Sequence, residues 1–262
     1  MCAWLWPSLA TDIPGKNAPA TLPAECVYHM TIPNFWLVVP AAGIGKRMKS
    51  EVPKQYLTLS NRFILDITLS RLLDNADFSG CMVPLSPQDH WWPDTEAVND
   101  DRIQTCTGGK ERADSVLSAL HALQEQADEN DWVLVHDAAR PCVHPDDLAN
   151  LIDTLSGHPV GGLLAAPVAD TLKQADDGQP PEVEATVDRS RLWRALTPQM
   201  FRFGALTRAL ETCLDAGHGV TDESSAMEFS GNMPVLVEGR PDNIKITVPS
   251  DLALAGFILS RL

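Results

Sequence analysis

FWLVVPAAGIGKRM, residues 35–48, joins three features that seldom adjoin: a short β-branched apolar run, a proline-bounded stretch with glycines at 43 and 45, and two consecutive cations, Lys46 and Arg47. An apolar run of this length with no polar alternation predicts a strand buried on both faces of a parallel sheet. Glycines just beyond such a strand permit a turn whose backbone N–H groups approach an anion. From Pro40 to Tyr56 the chain carries Lys46, Arg47, Lys49 and Lys54 against Glu51 alone, whereas the whole sequence holds 20 Lys and Arg against 35 Asp and Glu, a net charge of −15. So local a reversal of sign points to a negatively charged ligand.

Two common glycine motifs fail at this turn. A dinucleotide fingerprint needs a third glycine where Met48 stands, and a P-loop needs a glycine at Pro40 and Ser or Thr after Gly45-Lys46. An ordinary strand-to-helix turn with solvated Lys and Arg is the alternative to an anion site.

Outward from this turn the chain alternates apolar runs with amphipathic stretches. Strands are expected at 35–39, 80–86, 132–137, 161–168 and 234–239, and helices at 62–76, 111–126, 145–157, 202–217 and 249–262. Strand and helix in turn give an α/β fold, Rossmann-like, with a mostly parallel sheet flanked by helices. In such sheets ligands bind beyond the carboxyl ends of the strands, where the glycine turn begins. Residues 170–191 read differently. Two extended, partly polar stretches flank Gly178, Pro180 and Pro181, which predicts a β-hairpin arm protruding from the domain.

Composition narrows the partners. A chain this acidic repels a nucleic-acid backbone, whose binding rests on neutralising many phosphates. No apolar stretch approaches the roughly 20 residues that cross a bilayer. Cys2, Cys26, Cys81, Cys106, Cys142 and Cys213 are scattered without a C-x-x-C pair, so neither a zinc site nor a disulfide framework is indicated and a reduced, cytoplasmic setting is expected. Residues 1–33 contain five prolines and no apolar periodicity, and are read as a disordered tail ahead of a single domain spanning 34–262.

Seven motifs in order then carry a resemblance. PAAGIGKRM with PKQY (53–56), GGKERADSV (108–116), VHDAARP (135–141), APVADTLK (166–173), TVDRSRLWRALTPQ (186–199), TDESSAME (221–228) and VEGRPDNIKIT (237–247) together resemble the sugar-phosphate nucleotidyltransferases, in particular their cytidylyltransferase branch. The resemblance runs from about Phe35 to the end. It implies transfer of CMP from CTP to a sugar-alcohol phosphate with Mg²⁺ or another divalent cation. The acceptor it implies is 2-C-methyl-D-erythritol 4-phosphate, with ribitol 5-phosphate as the alternative; a non-catalytic nucleotide-binding dimer is a third reading.

Carried over by position, the resemblance implies that Ala41, Ala42, Gly43, Gly45 and Lys46 wrap the triphosphate, and that Arg47 and Lys54 are catalytic, stabilising charge at the α-phosphorus. Gly108, Gly109 and Ser115 would read the cytosine, and Asp137 and Ala138 would meet the ribose, with Asp137 also the candidate metal ligand. Arg140, Thr197 and Lys245 would bind the acceptor, joined by Thr171 and Arg189 from the arm of a second subunit in a homodimer with exchanged arms. Glu111 and Arg112 open either a site or a solvated helical turn. His136 is not expected to act as a base, because a phosphate monoester, with its second pKa near 6, already presents a largely dianionic oxygen at neutral pH.

Overall fold

The inner strands of the central sheet alternate their side chains between two apolar layers. A computed structural model describes residues 33–43 and 52–262. In β1 (Phe35–Val38) Trp36 and Val38 face one layer, while Leu37 and the following Val39 face the other. The first layer is completed by helices α2 (Arg112–Leu123) and α4 (Phe203–Asp215), the second by α1 (Ile64–Leu73) and α3 (Pro145–Leu155). On α3 Leu148, Leu151 and Leu155 recur at helical spacing and are fully buried, each contributing roughly 1.5–3 kcal/mol by leaving water.

The sheet has seven strands. With β4 (Gly80–Leu85), β5 (Ile103–Thr107), β6 (Trp132–Val135), β7 (Gly161–Pro167), β10 (Trp193–Arg202) and β11 (Val235–Glu238), the spatial order is β11-β7-β10-β6-β1-β4-β5. All pairings are parallel except those of β10, which runs antiparallel to both β6 and β7. A small hairpin, β2 (Thr58–Leu59) with β3 (Arg62–Phe63), precedes α1 and occupies the start of the stretch expected to be helical from residue 62. The remaining helices are α5 (Glu223–Phe229) and α6 (Ser250–Leu259).

All five expected strands and all five expected helices are present, with ends shifted by a few residues. Besides β2 and β3, two strands of the central sheet and one α-helix were not expected. Edge strand β5, IQTCT, is half exposed and lacks an apolar run. Strand β10 holds Pro198, which removes a ladder donor and argues against a central strand; here the register shifts between Ala195 and Gln199, so the proline falls in an irregularity of the β7–β10 pairing. Helix α5 has only seven residues.

Residues 172–175 (β8) and 183–187 (β9) pair antiparallel as a separate two-stranded sheet, nearly every residue of it exposed. The hairpin is closed at its base by the N–H of Val168 donating to the carbonyl of Leu192 (3.0 Å). Residues 1–32, and with them nearly all of the expected tail, lie outside the described residues, as do Gly45, Lys46 and Arg47.

Candidate active site

The carboxyl ends of β1, β4, β5 and β6 meet at one edge of the sheet. The N–H of Ala41 donates to Pro84 (3.0 Å), that of Gly108 to Leu85 (2.8 Å), and that of His136 to Val38 (2.9 Å), so the loops after these strands are bound side by side. A cleft opens there. Of the expected residues, Ala41, Ala42, Gly43, Lys54, Gly109, Ser115, Asp137, Ala138 and Lys245 line it. A second cleft, lined by Arg140, Arg194, Asn243 and Thr247 among others, shares Lys245 with the first.

Short-range packing explains why Gly108 and Gly109 admit nothing larger. A Cβ on Gly108 would lie 2.5 Å from the Cβ of Ala42, and one on Gly109 would lie 2.2 Å from that of Asp114. The hydroxyl of Ser115 accepts from the N–H of Gly109 and donates to the carbonyl of Glu111, both at 3.1 Å, tying the glycine pair to the first turn of α2. Gly109→Ala should therefore overpack this junction and lower the unfolding free energy by about 1–3 kcal/mol. Denaturant unfolding measures it, and a variant as stable as the parent would mean that the turn moves off α2 freely.

The PKQY segment holds the turn after β1 in place. Gln55 is buried, and its amide donates to the carbonyls of Ala41 (2.5 Å) and Gly43 (3.1 Å). With those carbonyls occupied from one side, the turn keeps a fixed face toward the cleft. Lys54, half-buried, begins the 3₁₀ turn Lys54–Tyr56 that delivers Gln55.

Asp137 is the centre of charge. Its Oδ1 accepts from Arg112 Nε (2.9 Å), and its Oδ2 accepts from Arg140 Nε (3.2 Å) and from Lys245 Nζ (2.9 Å). Burial alone would raise the carboxyl pKa, but Arg112, Lys245 and Arg140 hold it well below the usual range. Arg112 also makes a bidentate pair with Glu223, NH1 to Oε1 at 2.6 Å and NH2 to Oε2 at 3.1 Å, and Glu223 is completely buried. Arg112 is thus no solvated helical turn. Three cations against two carboxylates leave this cluster at +1.

Behind Asp137 a neutral relay fixes its backbone. The N–H of Asp137 donates to Thr197 Oγ1 (3.1 Å), the Thr197 hydroxyl donates to His136 Nδ1 (3.1 Å), and His136 Nε2–H donates to the carbonyl of Arg140 (3.0 Å). Thr197 lies buried across the β6–β10 junction. Burial pushes the imidazole of His136 down to about 4, so at neutral pH it carries one proton, on the nitrogen facing the carbonyl. The unfolded chain binds a proton on this residue below pH 6.5 that the folded chain refuses until about pH 4. His136 therefore makes stability fall as the pH drops from about 6.5 to 4, by about 3 kcal/mol in total. His136→Gln keeps a donor and an acceptor but cannot titrate, and should flatten that part of the stability profile; an unchanged slope would show that His136 is already charged in the folded chain.

Thr171 and Arg189 are not brought to either cleft within one chain. Both are exposed on the hairpin segment, where Arg189 NH1 donates to the carbonyl of Val168 (3.1 Å).

Residues 35–261 match the family IspD, 2-C-methyl-D-erythritol 4-phosphate cytidylyltransferase. The chain belongs to this family. A relative of that name from Ectopseudomonas mendocina (strain ymp) is 55% identical over 221 residues, covering 84% of this chain and 93% of its own. The IspD crystal structure from Francisella tularensis superposes with a TM-score of 0.73 at 38% identity, covering 86% of this chain and 99% of that one. A crystal structure of 4-diphosphocytidyl-2C-methyl-D-erythritol synthase gives 0.75 at 36% identity, over 87% and 98%. For an IspD chain, the seven motifs are thus the segments that surround the clefts and form the hairpin. Gln55 and Glu223 lie inside two of them and had been given no role, and Arg112 was left undecided. For Arg112 and Glu223 the available signal is a charged side chain at the first position of a helix.

Proposed function

We propose that this chain transfers CMP from CTP to 2-C-methyl-D-erythritol 4-phosphate. An oxygen of the acceptor's phosphate attacks the α-phosphorus, the bond to the β-phosphate breaks, and 4-diphosphocytidyl-2-C-methyl-D-erythritol and pyrophosphate leave. Family membership supports the reaction, and the observation that carries it is the cationic cluster around Asp137, set between two clefts that share Lys245. The chemical difficulty is repulsion between two phosphate groups. Groups fixed in advance at the place where charge gathers relieve it without a proton transfer.

On this reading Ala41, Ala42, Gly43, Gly45 and Lys46 hold the triphosphate, and Arg47 and Lys54 stabilise the α-phosphorus. Gly108, Gly109 and Ser115 take the cytosine, and Asp137 and Ala138 the ribose side. Arg140 and Lys245 bind the acceptor phosphate in the second cleft. Thr197 serves it from behind, by holding the backbone of Asp137.

A divalent cation, when bound, neutralises phosphate charge and polarises the phosphoryl group. Among the described residues no three His, Cys, Asp or Glu side chains cluster to hold one. Both oxygens of Asp137 are already engaged by nitrogen donors, so the protein offers the ion little and the triphosphate and water would supply most of its ligands.

The hairpin is the reason to propose a homodimer with exchanged arms. A two-stranded hairpin is marginal in water by itself, and Leu172, Val183 and Trp193 are exposed on this one or at its base. Clasping a second copy would cover them and carry Thr171 and Arg189 to that copy's acceptor cleft. Four unpaired cysteines among the described residues accord with a cytoplasmic setting; among those residues no helix is long and apolar enough to cross a membrane.

Pyrophosphate release with methylerythritol phosphate as acceptor, using CTP, UTP, ATP and GTP in turn, tests the reading. CTP should be preferred by about 10²-fold or more, since a site built to hydrogen-bond one base leaves buried groups unpaired with another. Equal turnover with UTP, or faster turnover when ribitol 5-phosphate replaces the acceptor, would overturn it.

A further inference from the structure

Glu223 lies 111 residues from Arg112 in the chain and is fully buried. It is the first residue of α5, which Asp222 caps by accepting from the N–H of Ser225 (3.0 Å). Gln199 in β10 fastens that helix start further: its amide donates to Asp222 Oδ2 (2.9 Å), and its Oε1 accepts from the N–H of Ser224 (2.8 Å). The residues on both sides of Glu223 are therefore fastened, and its carboxylate takes both terminal nitrogens of the guanidinium. Only Nε then faces Asp137, and the contact with Oδ1 leaves Oδ2 for Arg140 and Lys245.

We infer that Glu223 is a positioning residue for CMP transfer, acting through Arg112 to fix the orientation of Asp137 and, through it, of Lys245 and Arg140. The inference rests on the proposed reaction. Without the Glu223 carboxylate the guanidinium is free to turn its planar fork onto Asp137 and take both oxygens. Lys245 then loses its anchor. Glu223 thus keeps Arg112 from monopolising the one carboxylate that organises the two clefts, and it also offsets one of the three cations.

The experiment compares Glu223→Gln, Arg112→Met and the double variant with the parent, reading kcat and the KM for CTP by pyrophosphate release and folding by thermal unfolding. Displacement of reacting groups by about an ångström costs on the order of 10²-fold in rate. Glu223→Gln should thus lower kcat by about that factor while moving the KM for CTP much less. Because Glu223 acts through Arg112, the double variant should be no slower than Arg112→Met alone, within about threefold. Multiplied losses in the double variant would overturn the inference, as would a Glu223→Gln variant within threefold of the parent. Should Glu223→Gln fail to fold, Glu223→Asp keeps the charge but withdraws it by one methylene; a drop in kcat of about tenfold or more then supports positioning, and an unchanged kcat overturns it. A parent chain inactive with CTP would instead remove the proposed reaction itself, so the two failures are distinct.

Discussion

Co-expressed Lys54→Ala and Arg189→Ala chains are expected to recover about a quarter of wild-type turnover, although each variant alone is inactive. Lys54 lines the first cleft of its own chain; in the proposed role of stabilising charge at the α-phosphorus, its loss costs about 10²-fold or more. Arg189 lies on the exposed hairpin, away from both clefts of its own chain. If the hairpin serves the neighbour, a mixed dimer has one site with both lesions and one with neither. Random pairing makes about half the dimers mixed, each with one good site of two. Were both residues to serve the same site, every site would keep a lesion. A folded, co-expressed mixture no more active than its parents would eliminate the exchanged arms and leave the chemistry of the core untouched.

Asp137→Asn is expected to cut turnover by about 10²-fold or more and to cost about 3 kcal/mol of stability. The substitution preserves shape but removes the charge facing Arg112, Arg140 and Lys245. Arg112 retains Glu223, and Arg140 retains the carbonyl of Asn243 at 2.7 Å. Lys245 has no other carboxylate contact among the described residues. The sign of the pH effect follows from the depressed carboxyl: its contribution is complete above the unfolded pKa near 3.8 and is lost only as the pH falls well below that value. The wild-type chain should therefore keep this contribution at pH 4.5, and the Asn variant should lack it at every pH. Chemical denaturation of both chains at pH 7 and pH 4.5 measures it; equal stabilities at pH 7 would mean that the cations are satisfied without Asp137.

The parallel strands that are buried on both faces were legible because burial strips them of polar residues, as in the run from Trp132 to Val135, where every residue is buried; the half-exposed parallel edge strand β5 was not. Strand β10 was not, because Pro198 and Gln199 interrupt its apolar pattern. Both interruptions have uses that only the assembled sheet reveals: the proline sits in the β7–β10 irregularity, and Gln199 fastens α5. Site residues at the ends of strands, such as Asp137, could be picked out by position and motif. The partner of Arg112 could not, since no local pattern links two residues brought together only when α2 and α5 pack on either side of α4. Gln55 was passed over for a related reason: an amide between Lys54 and Tyr56 gives no hint that its hydrogen bonds run back to the turn after β1.

The hairpin leaves the sheet after β7 and returns as β10, and these two strands are neighbours, paired at Pro167 with Trp193 and latched at Val168 with Leu192. If everything between were pared to a tight turn, the same strands would still lie side by side. The segment is thus an insertion in the topological sense, one that the core does not need for its own connectivity. A lineage can lengthen, shorten or redecorate it without renegotiating the fold, and a chain that loses it would keep every pairing of the seven-stranded sheet.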